Sequence, residues 1–343
     1  GSAVRCCVVF GIGVAAGERQ SGQQCEEQSF HEAPFIRSQF SNRWSLGVEQ
    51  TRMHGQGAAM NTEAESRRKF WWFAGGVAVG VAGYFALRYP VETGAKIANS
   101  WLRLRGASFH EIPWPGGTVR YVMAGTGTKP LVILHGIGDS PESFALFVSG
   151  LLRDYRICMP ILPGHPGTPA PDDLQFGHMV QAVDSVILRE FGGRKVHLVG
   201  NSLGGWVASL FAAAASERLE SLMLINPAGL RPDFDPGLIR PSNDDDARRA
   251  MRSIFGKRAN KFPRIWHNSY ARAMQARSEA AVVEMMLSAP TTEEALQRIT
   301  ARTTVVVGER DRLVSPEDSI RAAELIGHAN IELIPGGSHL PHM

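Results

Sequence analysis

From about residue 109 the chain alternates short apolar runs with longer amphipathic ones. Seven short runs read as strands: TVRYVMA (118–124), LVILH (131–135), RICMPI (156–161), VHLVG (196–200), SLMLIN (221–226), TTVVVG (303–308) and IELIP (331–335). Apolar residues at helical spacing fit helices near 141–153, 178–191, 203–215 and 316–326. Strands alternating with helices predict an α/β fold, a mostly parallel sheet with helices on both faces. In such a sheet the functional side chains belong in loops at the carboxyl ends of the strands.

Other stretches break that alternation. Residues 70–87, FWWFAGGVAVGVAGYFAL, are 18 residues without a charge, or about 27 Å of helix. Trp71 and Trp72 stand at one end and Tyr84 and Tyr89 near the other, with Arg67, Arg68 and Lys69 abutting the start. This is the pattern of a transmembrane anchor with interfacial aromatics. RYPVE follows the apolar run where a cleaved leader would carry small residues, so an uncleaved single-pass N-terminal anchor is expected. Cations are balanced on its two sides, four against four within twenty residues, which leaves the side of the membrane open. Gly76 and Gly80 form a G-x-x-x-G, a face for helix–helix self-association. Residues 88–108 read as an interfacial linker. Ile97, Trp101 and Leu104 fall at i, i+4 and i+7 among Lys96, Arg103 and Arg105, which suits a membrane surface or the globular domain equally. Residues 1–69 read as a disordered or non-native extension, with a more natural start at Met60. The remaining divisions are a core from 109 to 229, an interruption from 230 to 297, and a second core part from 298 to 343.

Composition narrows the function. The chain has 343 residues, 44% hydrophobic and 20% charged, with a net charge of +3. That suits a globular core, and so small an excess gives no argument for nucleic acid as a partner. Cys6, Cys7, Cys25 and Cys158 make neither a disulfide framework nor a metal-ligand spacing. The run Asp244–Asp246 followed by Arg248 and Arg249 reads as a solvated helix start, so neither a metal nor an organic cofactor is implied.

The chemistry concentrates in three loops. VHLVGNSLGGWVASL (196–210) sets G-x-S-x-G between a strand and a helix, the context of a nucleophile elbow at Ser202. Gly200 and Gly204 stand where a side chain would collide with the neighbouring strand or helix. A serine at its free pKa needs a base, and the base needs a carboxylate to orient it. Asp311 follows the strand at 303–308, and His339 follows the strand at 331–335. Glu317, Asp318 and His342 are competitors, the first two as ordinary first-turn carboxylates of a helix. The oxyanion of a tetrahedral intermediate would be held by the backbone N–H groups of Leu203 and Ile137.

With LHGIGDS, PGHPGT (163–168), HLVGNSLGG, LINPAGLRP (224–232), VVGERDRLV and IELIPGGSH in place, the chain resembles the serine α/β-hydrolase superfamily over about residues 115–340. Within it the likeness is greatest to membrane-anchored monoacylglycerol lipases and related bacterial lipases. The resemblance implies an α/β-hydrolase fold with Ser202 as nucleophile, His339 as base and Asp311 as its orienter. It also implies a helical cap over 230–297 that shapes an acyl pocket, with Phe255, Trp266, Met285 and Met286 as substrate-contacting candidates. A lipid or other ester of a medium- or long-chain fatty acid is then the substrate, monoacylglycerol first. The family usually continues past the histidine with a final helix, and here the chain stops at Met343, so that helix is expected to be missing.

Two rivals remain at this stage. GNSLGG is equally at home in hydrolases that cleave carbon–carbon bonds of ring-fission products, which the apolar segment 70–87 disfavours. A catalytically inactive, membrane-tethered binding module on the same fold is favoured by the absent final helix and disfavoured by the intact Ser, Asp and His. A dehalogenase or epoxide hydrolase is disfavoured because the elbow carries serine.

Overall fold

A computed structural model describes Gly83, Tyr84 and residues 88–342, apart from 232–234, 240 and 277–279. The described residues fall in one compact unit, Glu65–Met343. The extension expected over 1–69 and the anchor expected over 70–87, with Gly76 and Gly80, lie outside them, Gly83 and Tyr84 excepted. Among the described residues no helix is long and apolar enough to cross a membrane.

The strands of the described residues form one sheet in the order β1 (Ser108–Trp114), β2 (Gly117–Ala124), β4 (Tyr155–Pro160), β3 (Lys129–Leu134), β5 (Val196–Asn201), β6 (Leu219–Ile225), β7 (Thr303–Gly308) and β8 (Asn330–Ile334). β2 pairs antiparallel with β1 and β4, and every pair from β4 to β8 is parallel. The helices in chain order are α1 (Pro90–Leu104), α2 (Ala145–Val148), α3 (Phe176–Phe191), α4 (Leu203–Ala215), α5 (Pro236–Ile239), α6 (Asp244–Phe255), α7 (Arg264–Ala276), α8 (Ala280–Ser288), α9 (Glu293–Gln297) and α10 (Pro316–Ile326). Those from α5 to α9 occupy the stretch 230–297 that breaks the alternation.

The central strands are buried on both faces, which is why they read as unbroken apolar runs. Val132 and Leu134 of β3 join the main core with Leu198, Leu224, Val305, Met179 and Phe211, while Leu131 and Ile133 are buried on the opposite side. Phe176 opens α3 and stacks on Trp206 of α4, ring centroids 4.2 Å apart, which ties the two helices on one face.

The strand order places the site. From β3 the chain adds β4 on one side, then crosses to place β5 on the other. The winding therefore reverses between β3 and β5, and the crevice beyond their carboxyl ends is where such sheets bind ligands. The residues that follow these two strands are 135–140 and Ser202.

Three elements differ from the sequence reading. The helix expected over 141–153 is a 3-10 turn, Pro141–Phe144, followed by the single turn of α2; Ser149 and Gly150 then end it, as poor helix formers do. β1 was not foreseen, because Pro113 interrupts its pattern. As an edge strand it tolerates a proline, whose missing N–H the ladder does not need there. Residues 88–108 contain α1, whose buried anchor is Leu102, while Ile97 and Leu104 are 65% and 86% exposed. α1 packs on α7 and on the segment 141–148, with Asn99 Nδ2 donating to Glu142 Oε1 at 2.6 Å.

Candidate active site

The elbow is strained by construction. Ser202 has φ 55 and ψ −117, a region non-glycine residues rarely enter, at a cost of about 1–3 kcal/mol. Two glycines leave room for it. A Cβ on Gly204 would lie 2.3 Å from the Leu134 carbonyl oxygen of β3, and one on Gly200 would lie 2.3 Å from the Gly204 carbonyl oxygen. The Ser202 N–H donates to the Ile225 carbonyl at 3.0 Å, and its own carbonyl accepts from Trp206 N at 3.0 Å and Ala228 N at 3.1 Å. Ser202 thus sits as the residue preceding α4, with the unpaired N–H end of that helix directly behind it.

Asp311 and His339 form a buried pair. The His339 Nδ1–H donates to Asp311 Oδ2 at 2.7 Å, and both residues are buried. The other carboxylate oxygen, Oδ1, accepts from Leu313 N at 2.7 Å and Val314 N at 3.1 Å. The carboxylate is therefore fixed from both sides, and it fixes the imidazole in the tautomer that leaves Nε2 without a proton.

The loop after β3 is held by two further histidine rings. Leu162 N donates to His135 Nε2 at 3.1 Å, so His135 carries its proton on Nδ1 and donates it to the Gly136 carbonyl at 2.8 Å. Gly138 N donates to His165 Nε2 at 3.4 Å, and His165 Nδ1 donates to the Leu162 carbonyl at 3.1 Å. The rings meet edge to face, centroids 4.7 Å apart. Ile137 lies between the two tethered glycines.

Two asparagines bring the loops together. Asn226 follows β6 at φ 43, a conformation asparagine tolerates better than most residues. Its Oδ1 accepts from Gly308 N at 2.8 Å, and its Nδ2 donates to the carbonyls of Ser338 and His339, each at 3.1 Å. Asn201, next to Ser202, donates from Nδ2 to the Ile225 carbonyl at 3.0 Å and to the His339 carbonyl at 3.3 Å.

A cavity of about 300 Å³ opens here, lined by Ser202, Ile137, Trp206 and Asp311, by Pro227 to Arg231, by Asp235, Leu238, Ile239 and Met286, and by Arg312 to Ser315 with Asp318. The sequence candidates separate on this wall. Ser202, Ile137, Asp311 and Met286 line it; Leu203 is buried at the start of α4. His339 joins through Asp311. Phe255 and Trp266 instead pack on Phe262, in a cluster of their own with Met251 and Tyr270, and Met285 belongs to the main core. His342 stacks flat on Phe144 at 4.5 Å with both ring nitrogens buried and unpartnered. Burial, and then the charge of nearby His339, push its pKa down to about 3, so it is neutral at ordinary pH and is turned to an apolar surface. Asp246 pairs with Arg249 at 2.8 Å and Asp245 with Arg248 at 2.7 Å on the first turns of α6. Among the described residues no group of acidic, histidine or cysteine side chains could hold a metal ion.

Asn201, Asn226, His135 and His165 were not singled out from the sequence. The positions of three were a signal: Asn201, His135 and Asn226 lie at or directly after the carboxyl end of a strand, whereas His165 stands within the loop that follows β4.

Residues 131–343 match the family model described as "Alpha/beta hydrolase family". Among curated proteins, the dihydrolipoyllysine-residue acetyltransferase component of the acetoin cleaving system of Cupriavidus necator is 27% identical over 140 residues, 40% of this chain and 37% of that protein. Monoacylglycerol lipase ABHD6 of Homo sapiens is 32% identical over 113 residues, 32% of this chain and 34% of its own, and the Xenopus laevis form 27% over 246 residues, 62% and 71%. The chain thus spans between a third and two fifths of the first of these relatives. A solved structure described as a putative lipase from Acinetobacter baumannii superposes with a TM-score of 0.63 at 18% identity, covering 73% of this chain and 90% of that one.

Proposed function

The chain belongs to the alpha/beta hydrolase family, and from that premise we propose that it is a carboxylic ester hydrolase acting on acyl esters of glycerol, monoacylglycerol among them. The observation that carries this is the buried Asp311–His339 bond of 2.7 Å, with Asp311 and Ser202 on one cavity wall. His339 Nε2 takes the Ser202 proton as Oγ attacks the ester carbonyl. The N–H groups of Leu203 and Ile137 hold the oxyanion, a contribution of about 3–4 kcal/mol per donor in the transition state. His339 returns the proton to the departing alcohol, then activates the water that releases the fatty acid. Trp206, Leu230, Leu238, Ile239 and Met286 give the cavity an apolar wall for the acyl chain. The relatives named monoacylglycerol lipase support the choice of alcohol. The chain reaches its substrate at a membrane surface: α1 presents Ile97 and Leu104 outward among Lys96, Arg103 and Arg105, directly after the apolar run 70–87.

The test is labelling with a fluorescent fluorophosphonate, with Ser202→Ala and His339→Ala beside the parent, followed by a panel of glycerol esters of increasing acyl length. Labelling lost in both variants, with turnover of the esters, supports the reading. A parent that takes no label and cleaves no ester of the panel removes it.

A further inference from the structure

Most of the charged side chains on the cavity wall have a partner of their own. Three carboxylates face it, and each has a partner: Asp311 holds His339 at 2.7 Å, Asp318 holds Arg231 Nε at 2.8 Å, and Asp235 holds Arg249 at 2.8 Å. Two guanidinium groups face it, Arg231 and Arg312. Arg231 is shared with Asp318, while Arg312 makes no ion pair with any described residue. Arg312 is exposed and stands one residue beyond Asp311, on the wall that Ser202 shares. An arginine on a wall whose other charged side chains are paired, with its own five donors left over among the described residues, is equipped for an anionic oxygen group.

We propose that Arg312, seconded by Arg231, receives an anionic group carried on the alcohol side of the scissile ester, a phosphate monoester being the chemistry that fits. This rests on the ester-hydrolase reading and names its substrate class: a monoacyl ester of glycerol phosphate in preference to neutral monoacylglycerol. The alcohol side follows from placement. The apolar residues Trp206, Leu230, Leu238, Ile239 and Met286 take the acyl chain, whereas Arg312 lies at the exposed rim. Phosphate is preferred to carboxylate because two guanidinium groups stand at one wall. A phosphate monoester brings a charge of about −1.5 to −2 and three acceptor oxygens, enough for a fork from each.

The decisive measurement uses ligands that cannot be cleaved. Binding of 1-O-octylglycerol and of 1-O-octylglycerol 3-phosphate is measured by calorimetry on the full chain and on Arg312→Gln and Arg312→Lys. The quantity read is the ratio of the two dissociation constants within each protein, which a partly unfolded sample does not alter. The parent is expected to favour the phosphate by about tenfold, as a charge-assisted bond at an exposed rim allows. Arg312→Gln brings the ratio close to one, and Arg312→Lys leaves an intermediate value because the charge remains and the fork is lost. Inorganic phosphate is the third ligand. If it binds as tightly as the lipid phosphate and with the same dependence on Arg312, the site takes free phosphate and the substrate assignment is overturned. A parent without preference, or an Arg312→Gln that keeps it, overturns the proposal as well. The corresponding octanoyl esters are assayed separately. Phosphate preference without turnover leaves the anion site standing and removes the hydrolase reading, and turnover without preference does the reverse.

Discussion

Replacing Asn226 tests whether the site is assembled by side chains that never touch substrate. Three hydrogen bonds leave its amide: one from Gly308 N, at the end of β7, and two to the carbonyls of Ser338 and His339. In Asn226→Ala the buried Gly308 N–H loses its acceptor and Ser338 loses a donor, while the His339 carbonyl keeps Asn201. At about 1 kcal/mol for each bond exchanged with water and 1–3 kcal/mol for a buried orphan donor, the loss is about 2–4 kcal/mol. An alanine at φ 43 adds about 1 kcal/mol more. Urea unfolding should therefore show about 3–5 kcal/mol of destabilisation, a large part of the 5–15 kcal/mol typical of a domain. Asn226→Asp is the sharper variant. Its Oδ1 still accepts from Gly308 N, but the second oxygen now faces two carbonyls and repels them. The pair of carbonyls raises the pKa of the new carboxyl, so the repulsion is present at high pH and is relieved as pH falls through that raised pKa. Displacement of the His339 loop should lower kcat by about 10- to 100-fold at pH 8. The ratio of variant to parent activity should then rise as the pH is lowered. A ratio near one that does not move between pH 8 and pH 5.5, in a variant as stable as the parent, would refute the reasoning.

Three further outcomes are expected. Gly204→Ala puts a Cβ 2.3 Å from the Leu134 carbonyl oxygen, so it should lose about 3 kcal/mol in thermal or urea unfolding and most fluorophosphonate labelling, whereas Gly193→Ala, with open space around it, should lose neither. His342 has a folded pKa of about 3, below that of an unfolded histidine, so the unfolded chain binds the extra proton between roughly pH 6.5 and 3 and stability falls as pH falls through that window. His342→Phe keeps the stack on Phe144 and removes that proton; its stability advantage over the parent should grow to about 2–3 kcal/mol by pH 4.5, and an advantage independent of pH would contradict the burial argument. His165→Phe removes the acceptor of the Gly138 N–H and should lower kcat by about tenfold with little change in KM, because oxyanion donors act in the transition state; a rise in KM alone would place His165 in substrate binding instead.

The sequence displayed the sheet because its strands are buried on both faces. A strand such as β3 presents Leu131 and Ile133 to one side and Val132 and Leu134 to the other, and no polar alternation blurs the run. The elbow was legible for a related reason: its geometry demands glycine at fixed offsets, and Gly200 and Gly204 are both in van der Waals conflict with any larger residue. β1 escaped because an edge strand obeys weaker rules and carries Pro113. The cap candidates illustrate a different limit. Phe255, Trp266 and Met286 are equally apolar along the chain, yet only Met286 reaches the cavity, since which face of a short helix turns inward is decided by its neighbours.

What the sequence withheld is the closure of the site, and the reason is chain separation. The Asn226 bond to Ser338 spans 112 residues and the Asn201 bond to His339 spans 138, so no window of periodicity contains either. Both end on main-chain carbonyls, which have no identity to recognise in a sequence. Yet these bonds decide how the loops after β5, β6, β7 and β8 stand relative to one another. Asn201 speaks for the elbow and Asn226 for the end of β6, and both donate to the His339 carbonyl; Gly308, on the strand that leads to Asp311, joins them through the Asn226 amide oxygen. Geometry of this kind ties down the histidine loop without using the histidine ring, whose Nδ1 is engaged by Asp311. The motif residues could be kept unchanged and the site still lost, if either asparagine gave up its amide.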